Sequence, residues 1–223
     1  MLSKETLQFL DDLKANNNRD WFLENKKRYE AFKKDYYQLA SDLLDALKPL
    51  DASLEMQEVK NCTFRINRDI RFSKDKTPYK SHLGFWFSSG AKGQNRSGYY
   101  IHLEKDASFI AGGLYCPESE DLKKMRKEIA YFYEDLEEIL EEKSFKKEFK
   151  NFDRNEKNTL KNPPRGYEKE HPAIELLKLK SFESSQAIDL SAVAKKDFVE
   201  VMSKKLIALK PLNDFINRAL TSE

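Results

Sequence analysis

The apolar residues of this chain change period twice, and that change limits the fold more than any single motif. Phe22, Tyr29, Phe32, Tyr36, Leu39, Leu43 and Leu47 recur at spacings of three, four or seven, the stripe of an amphipathic helix. From His82 the pattern becomes strict alternation: Leu83, Phe85 and Phe87, then Tyr99, Ile101 and Leu103, each set on one face of a strand. After Pro117 the helical spacing returns with Leu122, Met125, Ile129, Phe132, Leu136 and Leu140. Helices on both sides of a block of strands predict the α+β class.

Ser3 is placed to cap a first helix carrying Leu7, Leu10 and Leu13, and Asn16-Asn17-Asn18 breaks it. Asn18 then caps a second helix that runs to Lys48-Pro49. The two alternating runs pair as an antiparallel hairpin across the turn-rich segment Ser88 to Gly98. Phe109 to Tyr115 adds a third strand and Asn61 to Ile66 a fourth. Lys143 to Asn162 reads as polar loop, extended through Pro163 and Pro164, before a helix near His171-Pro172. Phe198 to Leu209 and Pro211 to Leu220 give C-terminal helices. No repeat and no flexible linker interrupts the chain. The expectation is a single α+β domain over residues 1–223, an antiparallel-dominated sheet flanked by N-terminal, central and C-terminal helices.

Composition narrows the function classes. The 40 Lys and Arg nearly cancel the 38 Asp and Glu, which excludes a globally basic nucleic-acid coat. The balance is an average over opposed segments: Glu118 to Glu142 has ten acids against four bases, whereas Lys60 to His82 has seven bases against two acids. With 7 glycines, neither G-x-x-x-x-G-K-[ST] nor G-x-G-x-x-G occurs, so any bound phosphate must be held by side-chain cations. Cys62 and Cys116 are isolated, so neither a disulfide framework nor a cysteine zinc site is expected, and a reducing cytoplasm is the simplest location. No apolar run of about 18 residues predicts a membrane span. Nothing specifies an oligomeric state.

The most unusual stretch runs from Arg65 to Lys80, where three of the ten arginines fall within seven residues. Arg65, Arg68 and Arg71 offer forked donors for phosphate or carboxylate, and Lys74, Lys76 and Lys80 add point charges. Asp69 and Asp75 can orient these cations, or tie them up in an ordinary salt-bridged loop. On the opposite face of the hairpin from its apolar set lie His82, Trp86, Tyr100, His102 and Glu104, either a pocket floor or a partly solvated sheet face.

The run Arg65 to Lys80 resembles the hallmark R-x-N-R-D-x-R-F-S-K-D-K-x-P-Y-K of a bacterial and fungal family of conserved hypothetical proteins, a domain of unknown function. The resemblance extends over about residues 5 to 220, through Trp21-Phe22, Gly112 to Tyr115, Pro164-Arg165-Gly166-Tyr167 and His171-Pro172. It implies that Arg65, Asn67, Arg68, Asp69, Arg71, Phe72, Ser73, Lys74, Asp75, Lys76, Pro78, Tyr79 and Lys80 act as a unit, with Arg165, Tyr167 and His171 in a later motif. It implies no particular reaction or cofactor.

The expected ligand-binding set is therefore Arg65, Asn67, Arg68, Asp69, Arg71, Ser73, Lys74, Asp75, Lys76, Tyr79, Lys80, Arg165, Tyr167 and His171, taking an anionic small molecule such as a phosphate or nucleotide-like ligand. Phosphoryl transfer or phosphoester hydrolysis is the enzymatic reading such a site suits, with Asp69 or Asp75 as base or metal ligand. No catalytic residue is assigned, because Ser73, Cys62, Cys116 and the histidines carry no nucleophile signature. His82 and His102 without a clear third ligand read as a sheet-surface pair, so no metal site is expected. The alternative is a nucleic-acid-binding or protein-interaction module in which the basic loop is structural.

Overall fold

The computed structural model describes residues 2–90 and 95–222. Four strands, β1 (Leu83–Ser88), β2 (Gly98–Leu103), β3 (Phe109–Leu114) and β4 (Phe182–Ala187), form an antiparallel sheet in the order β1-β2-β3-β4. With the helices before, between and after the strands this is an α+β fold, as the periodicity predicts. Residues 91–94 of the expected hairpin loop lie outside the described residues.

The backbone divides into two compact units. The first comprises Met1–Phe87, Tyr100–Ile110 and Ala187–Lys204. Its helices are α1 (Lys4–Ala15), α2 (Arg19–Glu24) and α3 (Lys26–Leu47). The Ser3 side chain accepts from the Thr6 N–H and that of Asn18 from the Trp21 N–H, so both predicted caps form. The second helix is interrupted, contrary to expectation. Asn25 folds its amide back onto the Trp21 carbonyl at 2.9 Å, a side-chain bond that competes with helix continuation. Phe9, Leu13, Phe32, Leu39 and Leu43 are buried, with the Phe9 and Phe32 rings 5.2 Å apart. Asp35 ties α3 to the start of α1. Burial opposes its ionisation, but hydrogen bonds from Ser3 and Thr6 outweigh that and hold its carboxyl below the ordinary value.

The second unit comprises Ser88–Tyr99, Ala111–Gln186 and Lys205–Glu223. The single helix expected after Pro117 is broken into α4 (Ser119–Tyr131) and α5 (Tyr133–Glu141) at Phe132, whose φ of −130° and ψ of 37° leave the helical region. Arg218 spans the break. Its guanidinium pairs with Glu128 and Asp135 on the two sides and lies 4.8 Å over the Phe132 ring. The polar stretch after Glu142 is not all loop: α6 (Lys143–Glu148) forms because the Glu142 carboxylate caps Ser144 and Phe145 and the Phe145 ring is buried. Beyond it come α7 (Ile174–Leu177), α8 (Phe198–Leu206), whose first seven residues belong to the first unit, and α9 (Lys210–Thr221), with Pro211 in its first turn.

The fourth strand is also a correction. Asn61 to Ile66 makes only an isolated bridge, Thr63 to Phe85, and the sheet's fourth member is β4, whose Phe-Glu-Ser-Ser-Gln-Ala sequence has no apolar alternation to reveal it. Within β4 burial, then Asp153, pushes the Glu183 carboxyl up to about 7. The folded state thus holds this proton more tightly than the unfolded chain. Glu183 should therefore cost stability progressively as pH rises from its ordinary value through 7, and nothing further above that. Glu183→Gln is expected to flatten that slope in urea unfolding followed against pH and to gain stability at pH 8. An unchanged pH slope would show that the carboxyl titrates alike in both states.

Among the described residues no helix is long and apolar enough to cross a membrane.

Candidate functional site

The Arg65–Lys80 segment is a closed loop of the first unit. Its ends pair as a short ladder: Arg68 N–H donates to the Pro78 carbonyl at 2.9 Å, Lys80 N–H to that of Ile66 at 2.8 Å, and Asn67 bridges Tyr79. Asn17, in the break after α1, completes the pairing like a strand neighbour. Its side-chain amide donates to the Tyr79 carbonyl at 2.9 Å and its oxygen accepts from the Tyr79 N–H at 3.0 Å. The Tyr79 ring stacks on Phe22 at 4.1 Å.

Inside the ladder the charged side chains mostly satisfy one another. Arg68 binds Asp75 and Thr77, and Asp75 also accepts from the Thr77 N–H at 2.9 Å. Those bonds, the Thr77 one first, hold the Asp75 carboxyl below its ordinary value. Arg71 grips Asp69 through two nitrogens, at 3.0 and 2.6 Å, and the Lys76 ammonium donates to the Ile70 carbonyl at 2.9 Å. Lys74 is exposed and Ser73 half-buried. Asp69 and Asp75 are thus engaged by the loop's own arginines.

Arg65, Asn67 and Lys80 instead open onto a cleft of about 280 Å³ that also takes in Tyr29, Lys33, Tyr36, Tyr37, Phe64 and His82. Tyr36 of α3 fixes its back wall: its hydroxyl donates to the Gly84 carbonyl at 2.5 Å and accepts from the Phe64 N–H at 2.9 Å. Three cations, Lys33, Arg65 and Lys80, line the cleft and no carboxylate does. The Lys80 ammonium donates to the Arg65 carbonyl at 3.0 Å and sits 5.3 Å from the Phe64 ring centroid. Burial, then the Arg65 charge, lowers its pKa. Arg65 also acts on Asp69, which is exposed and already held by Arg71. Lys33 and Tyr37 escape sequence reasoning, since a lysine and a tyrosine on a helix face look like ordinary solvated positions.

His82 joins this cleft to the polar face of the hairpin. The His82 and His102 rings lie 4.4 Å apart, and Glu104 adds the third group that the sequence left unassigned. His102 Nε2 is 3.3 Å from Glu104 Oε2, while its Nδ1 is 3.1 Å from the Tyr100 hydroxyl. Phe109 stacks on His102 at 4.9 Å. Burial, then His102, pushes the His82 imidazole down to about 4. Burial opposes ionisation of Glu104 too, but hydrogen bonds from Lys14 and His102 outweigh it and keep its carboxyl below the ordinary value. Gly84 lets these side chains approach the strand closely: a Cβ would stand 2.9 Å from the Tyr100 hydroxyl and 3.2 Å from the Phe64 ring, so both would have to shift.

Arg165, Tyr167 and His171 belong to the second unit. Arg165 is exposed, the Tyr167 N–H donates to the Pro164 carbonyl at 3.2 Å, and the Tyr167 and His171 rings meet edge to face at 6.2 Å. His171 Nδ1 accepts from the Ala173 N–H at 3.1 Å, so one ring nitrogen serves the turn before α7.

No curated protein and no solved structure gives a significant match to the chain. A family model does, through the whole loop and cleft and nearly from end to end: residues 5–215 match the conserved hypothetical proteins DUF2461, and the chain belongs to that family.

Proposed function

We propose that the cleft of the first unit binds a small anionic ligand, a phosphate ester of mononucleotide size or less, through Arg65, Lys80 and Lys33, with Asn67 as a neutral hydrogen-bonding partner. The observation that carries the reading is the uncompensated charge: three cations and no carboxylate line the cleft, and one of the cations is partly desolvated. Holding like charges together away from water costs stability unless an anion offsets it. Guanidinium and ammonium groups suit phosphate oxygens, and the Tyr29, Tyr37 and Phe64 rings offer flat apolar walls to the rest of the ligand. The volume of about 280 Å³ falls just below the range of small-molecule sites, roughly 300 to 1,000 Å³, and this sets the size limit.

The loop's own Arg68, Arg71 and Lys76 are engaged by its carboxylates and carbonyls, so in this reading they brace the cleft instead of contacting the ligand. Arg165, Tyr167 and His171 are not needed for it.

Thermal unfolding in the presence of inorganic phosphate, pyrophosphate, nucleoside monophosphates and sugar phosphates tests the proposal. At least one phosphate ester should raise the midpoint saturably, by the linkage between binding and stability, while its unphosphorylated parent does not. Equal midpoints with every compound would defeat it. One observation favours a second reading. Phe72, at the loop's tip beside Arg71, is 95% exposed, as a base-stacking aromatic on a basic loop would be. Single-stranded oligonucleotide affinity that falls steeply with salt and is lost in Phe72→Ala would support that alternative.

A further inference from the structure

We propose that His82, His102 and Glu104 form a binding site for one divalent transition-metal ion of the zinc type. The ligand geometry carries this proposal independently of the anion-binding reading.

Two rigid strand segments present the three groups. His102 and Glu104 are two residues apart, so they share a face of β2 and its end, and His82 immediately precedes β1, the neighbouring strand. One donor atom from each residue lies within 4.8 Å of the other two. The 3.3 Å from His102 Nε2 to Glu104 Oε2 already matches the ~3.4 Å edge of a tetrahedron with metal–ligand bonds of ~2.1 Å. The remaining separations, at most 4.8 Å, involve His82, so closing the set requires its ring to move inward by up to about 1.4 Å on the same geometry.

The surrounding groups orient these donors as ligands are oriented in metal sites. The Tyr100 hydroxyl oxygen, 3.1 Å from His102 Nδ1, can accept a hydrogen bond from a protonated Nδ1, the tautomer that leaves Nε2 free to ligate. Lys14 takes Glu104 Oε1 at 3.1 Å and leaves Oε2 facing the histidine. Phe109, stacked at 14° to the His102 plane, fixes the ring's rotation. An ordinary His102–Glu104 hydrogen bond would explain that pair but not His82. No hydrogen bond holds the half-buried His82 ring among the described residues, and it lies within 4.4 Å of a second imidazole.

Two imidazoles and one carboxylate are borderline donors that suit zinc and its neighbours better than calcium or magnesium, which prefer all-oxygen sets. Three protein ligands leave a coordination position open, and His82 also lines the cationic cleft, so an ion held there adjoins that cleft.

The chain has 3 histidines, which makes the test internal. Chelator-treated full-length protein is titrated with zinc chloride, by calorimetry and by NMR of the histidine ring protons. The expected result is one saturable ion per chain, with the His82 and His102 rings perturbed together and His171 unchanged. His102→Ala should lose more than the 10- to 100-fold in affinity, roughly, that removal of a ligand's hydrogen-bond partner costs. The NMR readout needs no variant, so it decides the matter even if substitutions in the sheet unfold the chain. No saturable binding, perturbation of His171 in place of the pair, or uptake by the exposed Cys116 with both rings unmoved would overturn the proposal.

Discussion

Gly113→Ala should cost more than about 3 kcal/mol, a large share of the roughly 5–15 kcal/mol that holds a typical domain folded. Gly113 sits in β3 with φ +116°, a conformation that side chains rarely adopt. A Cβ built there would lie 2.1 Å from the Phe182 carbonyl oxygen and 2.9 Å from the Glu183 Cα. Both are backbone atoms of β4, so relief requires moving the strand, whereas a flexible side chain could swing away. Strained φ alone accounts for about 1–3 kcal/mol, and loss of the close β3–β4 approach adds to it. Gly166→Ala separates the two contributions, because Gly166 also has positive φ (+91°) yet a Cβ there would meet nothing within 4 Å. Urea unfolding of the two variants should show Gly113→Ala as clearly the worse. Equal costs would mean that β4 yields to a Cβ at position 113 in spite of the 2.1 Å approach.

The second large effect concerns the cleft. Replacing both Arg65 and Lys80 by methionine is expected to weaken binding of a phosphate ester by at least about 100-fold. Each charged hydrogen bond contributes roughly 1.5–3 kcal/mol, and every 1.4 kcal/mol is tenfold. Methionine keeps an unbranched apolar stem at both positions, beside Phe64 at position 80, so the loss isolates charge. Arg71→Met is the matched control. It removes one positive charge from the same loop, as each of the two cleft replacements does singly, but its guanidinium is committed to Asp69 and exposed, so ligand affinity should hardly change. A uniformly basic surface would instead respond to all three substitutions alike, and more so at low salt.

The sequence made the framework legible where local chemistry and hydrophobic period agreed. Ser3 and Asn18 cap where capping residues precede periodic runs, and Leu83, Phe85, Phe87, Ile101 and Leu103 are buried as their alternation requires. It failed where a single side chain decided the outcome. Asn25 interrupts a helix through one back-bond, Phe132 breaks another beneath Arg218, and the Glu142 cap with buried Phe145 makes a helix of a polar stretch. In β4 the buried Ser184 occupies a position where an apolar residue would have signalled a strand.

The candidate site divides in the same way. The clustering of Arg65 and Lys80 is visible in the sequence, but which cations face the loop and which face the cleft depends on pairings such as Arg71 with Asp69 that composition does not specify. Lys33 reaches the cleft from α3, more than thirty positions before Arg65, and carries no local mark. Glu104 was visible on the polar face of the hairpin, yet a His-x-Glu spacing is commonplace on a sheet. Only the neighbouring strand, bringing His82, makes it a ligand set.

Isothermal titration of the wild-type chain, Lys80→Met and Arg71→Met with the phosphate ester that most raises the thermal midpoint separates the cleft cations from the loop cations. A binding cleft should give one saturable site in the wild type, an affinity loss of at least about tenfold in Lys80→Met, and near wild-type affinity in Arg71→Met. Equal affinities in wild type and Lys80→Met, with the loss appearing in Arg71→Met, would contradict it.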